Sequence, residues 1–367
     1  GVLCVEVDNR PDPDLIPSER SDFFLYGGLT RPVSRYATGP LRIEQVQVDP
    51  QVRDDQGLLA LRLHVDGTVS DPAARYEVHI ELPDGTPFFT TTGTLTAAEM
   101  HITVPPLADP PRWSPDEPQL CRVHVTLWHD GRPSDRSSLR FGWRTVDFPE
   151  GGPFFLNGER LLLRGTHRHE DWAGSASAVQ EADTRAEFLR IKEAGFNFVR
   201  LGHYPQAAHV LDLCDELGLI VWDELPWCRG GVGGRRFKQT ARSMLRAMIA
   251  EHRHHPSIIF WGLGNELDWE SDHPETSDDD VLAFLQELHD LSHALDPTRL
   301  TALRRYERGA TVVDVYSPSI WSGWYRGRYE DYALALTAAQ AQYPRLLHME
   351  WGGDSHVGRY NDGPHLR

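Results

Sequence analysis

No apolar run in the 367 residues approaches the length of about eighteen needed to cross a bilayer, so no membrane-spanning helix is expected. Positive charge is scarce too: 37 Lys and Arg stand against 54 Asp and Glu, a formal net charge of −17. That balance argues against DNA, RNA or a sulfated glycan as a tight general partner and suits a protein acting on neutral substrates. The four cysteines, Cys4, Cys121, Cys214 and Cys228, show neither CxxC nor metal-ligand spacing and read as free or buried thiols. No leader is recognisable. The opening Val2-Leu3-Cys4-Val5-Glu6-Val7 reads as a strand, so the natural start is expected upstream. Periplasmic, secreted and cytoplasmic locations are therefore not separated.

Three textures follow one another. Residues 1–40 hold that strand-like run, a Pro/Asp-rich loop and an aromatic stretch from Phe23 to Val33, too little to bury a core alone. Residues 41–148 alternate apolar and polar positions in short segments such as LRIEQVQV, LLALRLHV and QLCRVHVTLW, with Asp-Gly turns at 66–67, 84–85 and 130–131. This predicts an immunoglobulin-like β-sandwich. Over 149–367 the pattern becomes strand and helix in alternation. Strands are expected at 161–167, 196–202, 218–224 and 257–264, then in RLTALR, VVDVYS and RLLHME. Helices are expected near 181–194, 206–217, 238–254 and 279–295. The fold class is thus multidomain β plus α/β, with seven of the eight units of a (β/α)8 TIM barrel present. An unclosed barrel exposes strand edges, so weak folding or completion by another chain or segment is expected.

In such barrels the functional side chains lie at the C-terminal ends of the strands. Here those ends are polar in succession: His167 and His169, Arg200 and His203, Asp223 and Glu224, Asn265 and Glu266, Tyr316 and Ser317, and Glu350. Glu266 and Glu350 each close an apolar strand, and strands four and seven face each other across a narrow barrel. Paired carboxyls suit glycoside hydrolysis with retention, in which acid and nucleophile stand about 5–5.5 Å apart. Glu266 would need a raised pKa, with burial, the Glu350 charge, Trp261 and Trp269 as candidate causes. Asn265 is placed to donate to a sugar 2-hydroxyl.

The remaining motifs read more plainly. HRHE at 167–170 lacks the spacing of a helix-borne zinc pair, so His167, His169 and His203 are expected on sugar hydroxyls or carboxylates. EHRHHP at 251–256 reads as a positively charged helix C-terminus, and CRGGVGG at 228–234 as an active-site loop rather than a phosphate cradle. After strand six, Trp324 is the preferred sugar-stacking platform, while Trp321 reads equally well as packing.

FFLNGERLLLRGTHRHED, FNFVRLGHYPQ, LCDELGLIVWDELPW, EHRHHPSIIFWGLGNE and HMEWGG, in this order and spacing, resemble glycoside hydrolase family 2, the β-galactosidase and β-glucuronidase group. The resemblance runs from Leu3 to Glu350. It implies the C-terminal remnant of a jelly-roll sugar-binding domain at 1–40, a sandwich at 41–148 and a catalytic barrel at 149–367. It also implies Glu266 as acid/base, Glu350 as nucleophile, Asn265 on the 2-hydroxyl and Tyr325 on the nucleophile. Arg164, His167, His169, His203, Asp223 and Trp324 would line the pocket. No cofactor is required; the divalent or monovalent metal used by some β-galactosidases of the family finds no complete ligand set in the sequence.

The preferred activity is an exo-acting retaining β-galactosidase, cleaving terminal β-linked sugars from oligo- or polysaccharides through a covalent glycosyl-enzyme. A β-glucuronidase, with Arg304, Arg305 or Arg359 meeting the uronate, or a β-mannosidase is the alternative within the family. An inactive sugar-binding fragment is the alternative of another class. Nucleic acid and membrane are not expected as partners, and a homo-oligomer is compatible with the sequence.

Overall fold

The computed structural model describes residues 2–353. Residues 2–40 contain no strand or helix. The strand expected at Val2–Val7 is absent: among the described residues no neighbour pairs with it, and Val2 and Leu3 are 99% and 77% exposed. A β pattern without a sheet edge to join has nothing to bury against.

The next stretch folds as two packed antiparallel sheets. One is built from β1 (Leu41–Arg53), β2 (Gln56–Gly67), β5 (Glu99–Thr103) and the short β6 (Leu107–Ala108). The other has the order β4 (Pro87–Thr94), β3 (Arg75–Glu81), β7 (Cys121–His129), β8 (Arg132–Phe141). Alternation drives the packing: Cys121, Val123, Val125 and Leu127 of β7 are buried and meet Val48, Leu61, Leu63, Val78 and Ile80. The Asp-Gly turn at 130–131 joins β7 to β8 with both residues at positive φ, as a two-residue hairpin requires. The equivalent β1–β2 turn uses Asp54-Asp55, both left-handed with no glycine, and Asp66-Gly67 instead ends β2.

A three-stranded ribbon, β9 (Val146–Asp147), β10 (Phe155–Leu156) and β11 (Glu159–Arg160), leads into a six-stranded parallel sheet. Its strands are β12 (Gly165–Arg168), β13 (Phe198–Leu201), β14 (Ile220–Glu224), β15 (Ile258–Asn265), β16 (Leu300–Arg304) and β17 (Val315–Ser317), side by side in chain order. Helices α1 (Glu181–Glu193), α2 (Ala208–Leu217), α3 (Arg235–His252) and α4 (Asp278–Leu295) alternate with the strands, and α5 (Asp331–Gln342) follows β17. Together they form a curled, TIM-like half-barrel. The first strand is shorter than the sequence suggests, because Leu162 is exposed ahead of it. The seventh, RLLHME, forms no strand. It meets β17 through a bridge in which Tyr316 N–H donates to Arg345 O and Leu347 N–H to Tyr316 O.

Strand parity decides what faces where. Phe198, Ile220, Trp222, Phe260, Ala302 and Val315 pack inward with Phe148, Phe154 and Leu156 from the ribbon, filling the interior below the site. Val199, Leu201, Val221, Ile258 and Leu303 point outward to the helices. Helix α4 starts at a capping box, with Ser277 and Asp280 exchanging bonds and Asp278, Asp279 and Asp280 in the first turn. Helix α5, which the sequence reading missed, buries only Ala339 and carries no apolar stripe to betray it. Among the described residues no helix is long and apolar enough to cross a membrane.

Sandwich and barrel are bonded along a seam. Trp113 Nε1 donates to Asp215 O at 2.9 Å, Lys192 Nζ to Pro115 O at 2.7 Å, and Arg144 to the carbonyls of Pro256 and Ile258 at 2.6 Å each. Gly218 caps α2 at φ 67, and a Cβ there would lie 2.3 Å from Pro115 O of the sandwich. Gly195, at φ 83, has nothing within 4 Å. Gly195→Ala should therefore cost only the left-handed strain, about 1–2 kcal/mol. Gly218→Ala should cost distinctly more, because a backbone carbonyl must also move. Denaturant unfolding of the two variants checks this, and equal losses would show that the seam yields freely.

Candidate active site

The inward face above the aromatic layer carries charge. Arg200 on β13, Glu224 on β14, Asn265 on β15 and Arg304 on β16 are each at most 1% exposed. Arg200 donates Nε and Nη2 to the two oxygens of Glu224, both at 2.9 Å, and Nη2 also reaches Asn265 Oδ1 at 2.9 Å. Its Nη1 reaches Glu350 Oε1 at 2.6 Å. Burial pushes the Glu224 carboxyl up, opposed by this guanidinium and by the Trp222 indole N–H. The Arg200 guanidinium carbon also lies 5.5 Å from the Trp222 ring centroid, a cation seated on the dry floor.

Arg304 joins the two candidate catalytic groups. Its Nη1 donates to Glu266 Oε1 at 2.5 Å and its Nη2 lies 2.7 Å from Glu350 Oε2. Both carboxylates thus stand within the span of one planar fork. Glu266 is contacted twice more, by Arg229 Nε at 2.6 Å on Oε2 and by Arg305 Nη1 at 2.9 Å on Oε1. Burial alone would raise the Glu266 carboxyl, yet the charges and hydrogen bonds of Arg304 and Arg229 outweigh it and hold it down to about 2. The raised pKa expected of an acid is absent in this state. Trp261 does not create it either, because its Nε1 donates outward to Asp296. Trp269 lies instead against Arg229 and Arg305.

The backbone is unusual at the same place. Arg229, Glu266 and Arg305 are left-handed at φ 58, 54 and 48, without being glycine, each at a cost of about 1–2 kcal/mol. The loop after β14 continues parallel to the end of β15, with Arg229 N–H donating to Asn265 O and Asn265 N–H to Trp227 O. Glu266 N–H in turn donates to Arg304 O, so all three side chains spring from one bonded rim.

Three histidines form the opposite wall. The rings of His167, His169 and His203 lie 4.9–5.3 Å apart, and His203 Nδ1 meets Glu224 Oε1 at 2.8 Å. His167 Nδ1 lies 4.0 Å from Glu350 Oε1. Burial lowers all three pKa values, most strongly for His167 and His203, and so favours neutral rings. Phe23 packs on this wall, 6.0 Å from His203 and 5.0 Å from Tyr204. The leading segment, which has no strand or helix, thereby reaches the active face, a contribution the sequence did not signal.

Not every expected residue is brought here. Asp223 points outward: it is fully buried against α3, where His252 Nδ1 meets Oδ2 at 2.6 Å. Parity makes its neighbour Glu224 the inward group. Arg164 precedes β12 at the far end of the barrel, exposed and bonded through its backbone to Asn197. The EHRHHP segment is more than a helix cap, since His255 also pairs with buried Asp215. Trp321, rather than Trp324, has Arg304 over its ring, at 5.8 Å. Trp324 lies against Gly353, and Tyr325 is 65% exposed with its ring against both tryptophans. Arg359 lies outside the described residues.

The carboxylates do not fit a metal ion, being engaged by guanidinium groups that would repel one. His167, His169 and His203 offer nitrogens within 4.8 Å of one another, but Arg200 Nη2 is 3.1 Å from His203 Nδ1. What the arrangement can do is hold two carboxylates on one arginine, above an aromatic floor, with Asn265 beside one of them.

Comparison with known proteins agrees with this architecture. Residues 41–144 match the model for glycosyl hydrolases family 2 and residues 149–358 the TIM barrel domain of the same family. A putative β-glucuronidase of Formosa agariphila is 40% identical over 99% of the chain, and a β-galactosidase of Thermoanaerobacterium thermosulfurigenes 33% identical over 86%; each match takes in 44% of the relative. Among solved structures, the Parabacteroides merdae β-glucuronidase superposes with a TM-score of 0.92 at 42% identity, covering 97% of this chain and 45% of that one. Bacteroides uniformis β-glucuronidase 3 gives 0.92 at 46% identity, with the same coverage. The chain thus spans less than half the length of these relatives, and its sandwich and barrel belong to glycosyl hydrolase family 2.

Proposed function

We propose that the chain carries the reaction centre of a retaining exo-β-glycosidase acting on β-glucuronides. The observation that carries the reading is Arg304 spanning Glu266 and Glu350 at the ends of two barrel elements. Glu350 attacks the anomeric carbon while the glycosidic C–O bond breaks, its electron pair going to the leaving oxygen, which takes the proton of Glu266. Water then gives a proton to Glu266 and attacks the same carbon, releasing Glu350. Arg200 and Arg304 hold Glu350 in place, Asn265 meets the 2-hydroxyl, and neutral His167, His169 and His203 bind sugar hydroxyls.

The choice of sugar differs from the β-galactoside preferred on sequence. Three relatives named β-glucuronidase, one of them as putative, share 40–46% identity with this chain, against 33% and 31% for two β-galactosidases, while other β-glucuronidases share 26–28%. The β-galactosidase remains the second reading on that weaker match.

Three outcomes are expected. Glu350→Ala should reduce hydrolysis of a nitrophenyl glycoside to near background, with azide restoring it and yielding the α-glycosyl azide; a β product would exchange the two roles. Glu266→Ala should cost about 10²–10⁴-fold with a poor leaving group and far less with nitrophenol. Wild type should give its highest kcat/KM on the β-glucuronide in a panel with β-galactoside and β-mannoside; a galactoside preference would return the second reading.

The pH dependence has a fixed sign. A carboxyl held down to about 2 is ionised throughout the neutral range, so rates on substrates needing the acid should fall as pH rises. Arg304→Gln removes a cation from Glu266, and the basic limb of kcat/KM should move to higher pH.

A further inference from the structure

The acid described above is locked in its ionised form by cations that nothing in its own chemistry requires. Two of them, Arg229 and Arg305, are partly exposed, at 15% and 32% of their side chains, whereas Arg304 is buried. Their guanidinium carbons lie 4.2 and 5.2 Å from the ring centroid of Trp269, which is itself 45% exposed. The outer partners of both arginines are exposed carboxylates: Asp22 Oδ2 at 2.7 Å from Arg229 Nη2 and Asp268 Oδ2 at 3.3 Å from Arg305 Nε. These anions sit where an incoming one would bind. The left-handed backbone at Arg229, Glu266 and Arg305 aims all three side chains at that point.

The proton donor of a glycosidase faces the leaving group, so this rim belongs to the aglycone side. We infer that the site has a leaving-group subsite for an anionic sugar residue, bearing a sulfate ester or a carboxylate, which stacks on Trp269 and takes Arg229 and Arg305 away from Glu266. The inference rests on Glu266 as acid/base. It gives the anion two uses: planar, charge-assisted donors bind it, and their departure lets Glu266 take up the proton it must deliver. The net charge of −17 disfavours polyanions at long range, so an anionic group is favoured only where these arginines are concentrated.

The test uses matched disaccharides that share the same terminal sugar and differ at the reducing residue: neutral, sulfated or uronate. Wild type should prefer an anionic residue by about tenfold or more in kcat/KM, the worth of one charge-assisted hydrogen bond, and the sulfate and uronate arms identify which anion. The preference should collapse to within about twofold in Arg229→Gln and Arg305→Gln and persist in Arg305→Lys. In wild type the basic limb should lie at higher pH in kcat than in kcat/KM for the anionic substrates alone. Equal kcat/KM for neutral and anionic disaccharides, or a preference untouched by both Gln substitutions, overturns the inference. Nitrophenyl glycoside turnover, which hardly needs the acid, reports separately on the underlying reading. If that substrate is cleaved and Glu266→Ala leaves the rates on the disaccharides unchanged, it is the acid assignment that has failed.

Discussion

Two carboxylates within reach of one arginine repel each other, and the guanidinium groups that offset this repulsion organise everything around them. Glu224, Glu266 and Glu350 sit among Arg200, Arg229, Arg304 and Arg305, with only the last of these substantially exposed. Removing any one buried partner would strand a charge, which is far costlier than the pair is worth. The aromatic floor, the parity of six strands and the left-handed rim all serve to deliver these groups to one level. A chain with a net charge of −17 has gathered part of its scarce positive charge where two acids must coexist.

Much of this was legible in the sequence, and the failures have physical causes. The order of sandwich and barrel followed from the change of apolar period at about residue 150, and four helices lie within three residues of their expected bounds. Glu266 and Glu350 were singled out because each closes an apolar run; the run before Glu266 is a strand, whereas the one before Glu350 is not. Asp223 was chosen over Glu224 without counting parity from Arg200, Ile220 and Trp222, which alone would have sent Asp223 outward. Arg164 was carried over by resemblance although it lies before its strand, at the end remote from the site. The pKa of Glu266 was misjudged because burial and a neighbouring carboxylate were visible as strand ends, whereas the arginines come from two distant places, Arg229 from the loop after β14 and Arg304 and Arg305 from the end of β16. Nothing local marks Phe23 as a wall of the histidine cluster, since that contact joins residues far apart in the chain.

The seam explains why the sandwich matters to the barrel. Arg144 follows the last sandwich strand and donates to the carbonyls of Pro256 and Ile258, where β15 begins. Seven residues on, roughly 23 Å of extended chain, the same strand ends at Asn265, with Glu266 next. All eight residues are buried, so the strand works as a stiff rod held at both ends.

Glu350 has no such rod. It lies beyond the Leu346 bridge, in a segment without strand structure, and is reached by side chains: Arg200, Arg304 and, more distantly, His167. One of the two acids is therefore located by the main chain and the other by charge. Changes in packing at the sandwich will be felt first by Glu266, and changes in charge within the pocket first by Glu350. The separation between them is then set from two independent directions, so a change in one support can be met by the other without rebuilding the core.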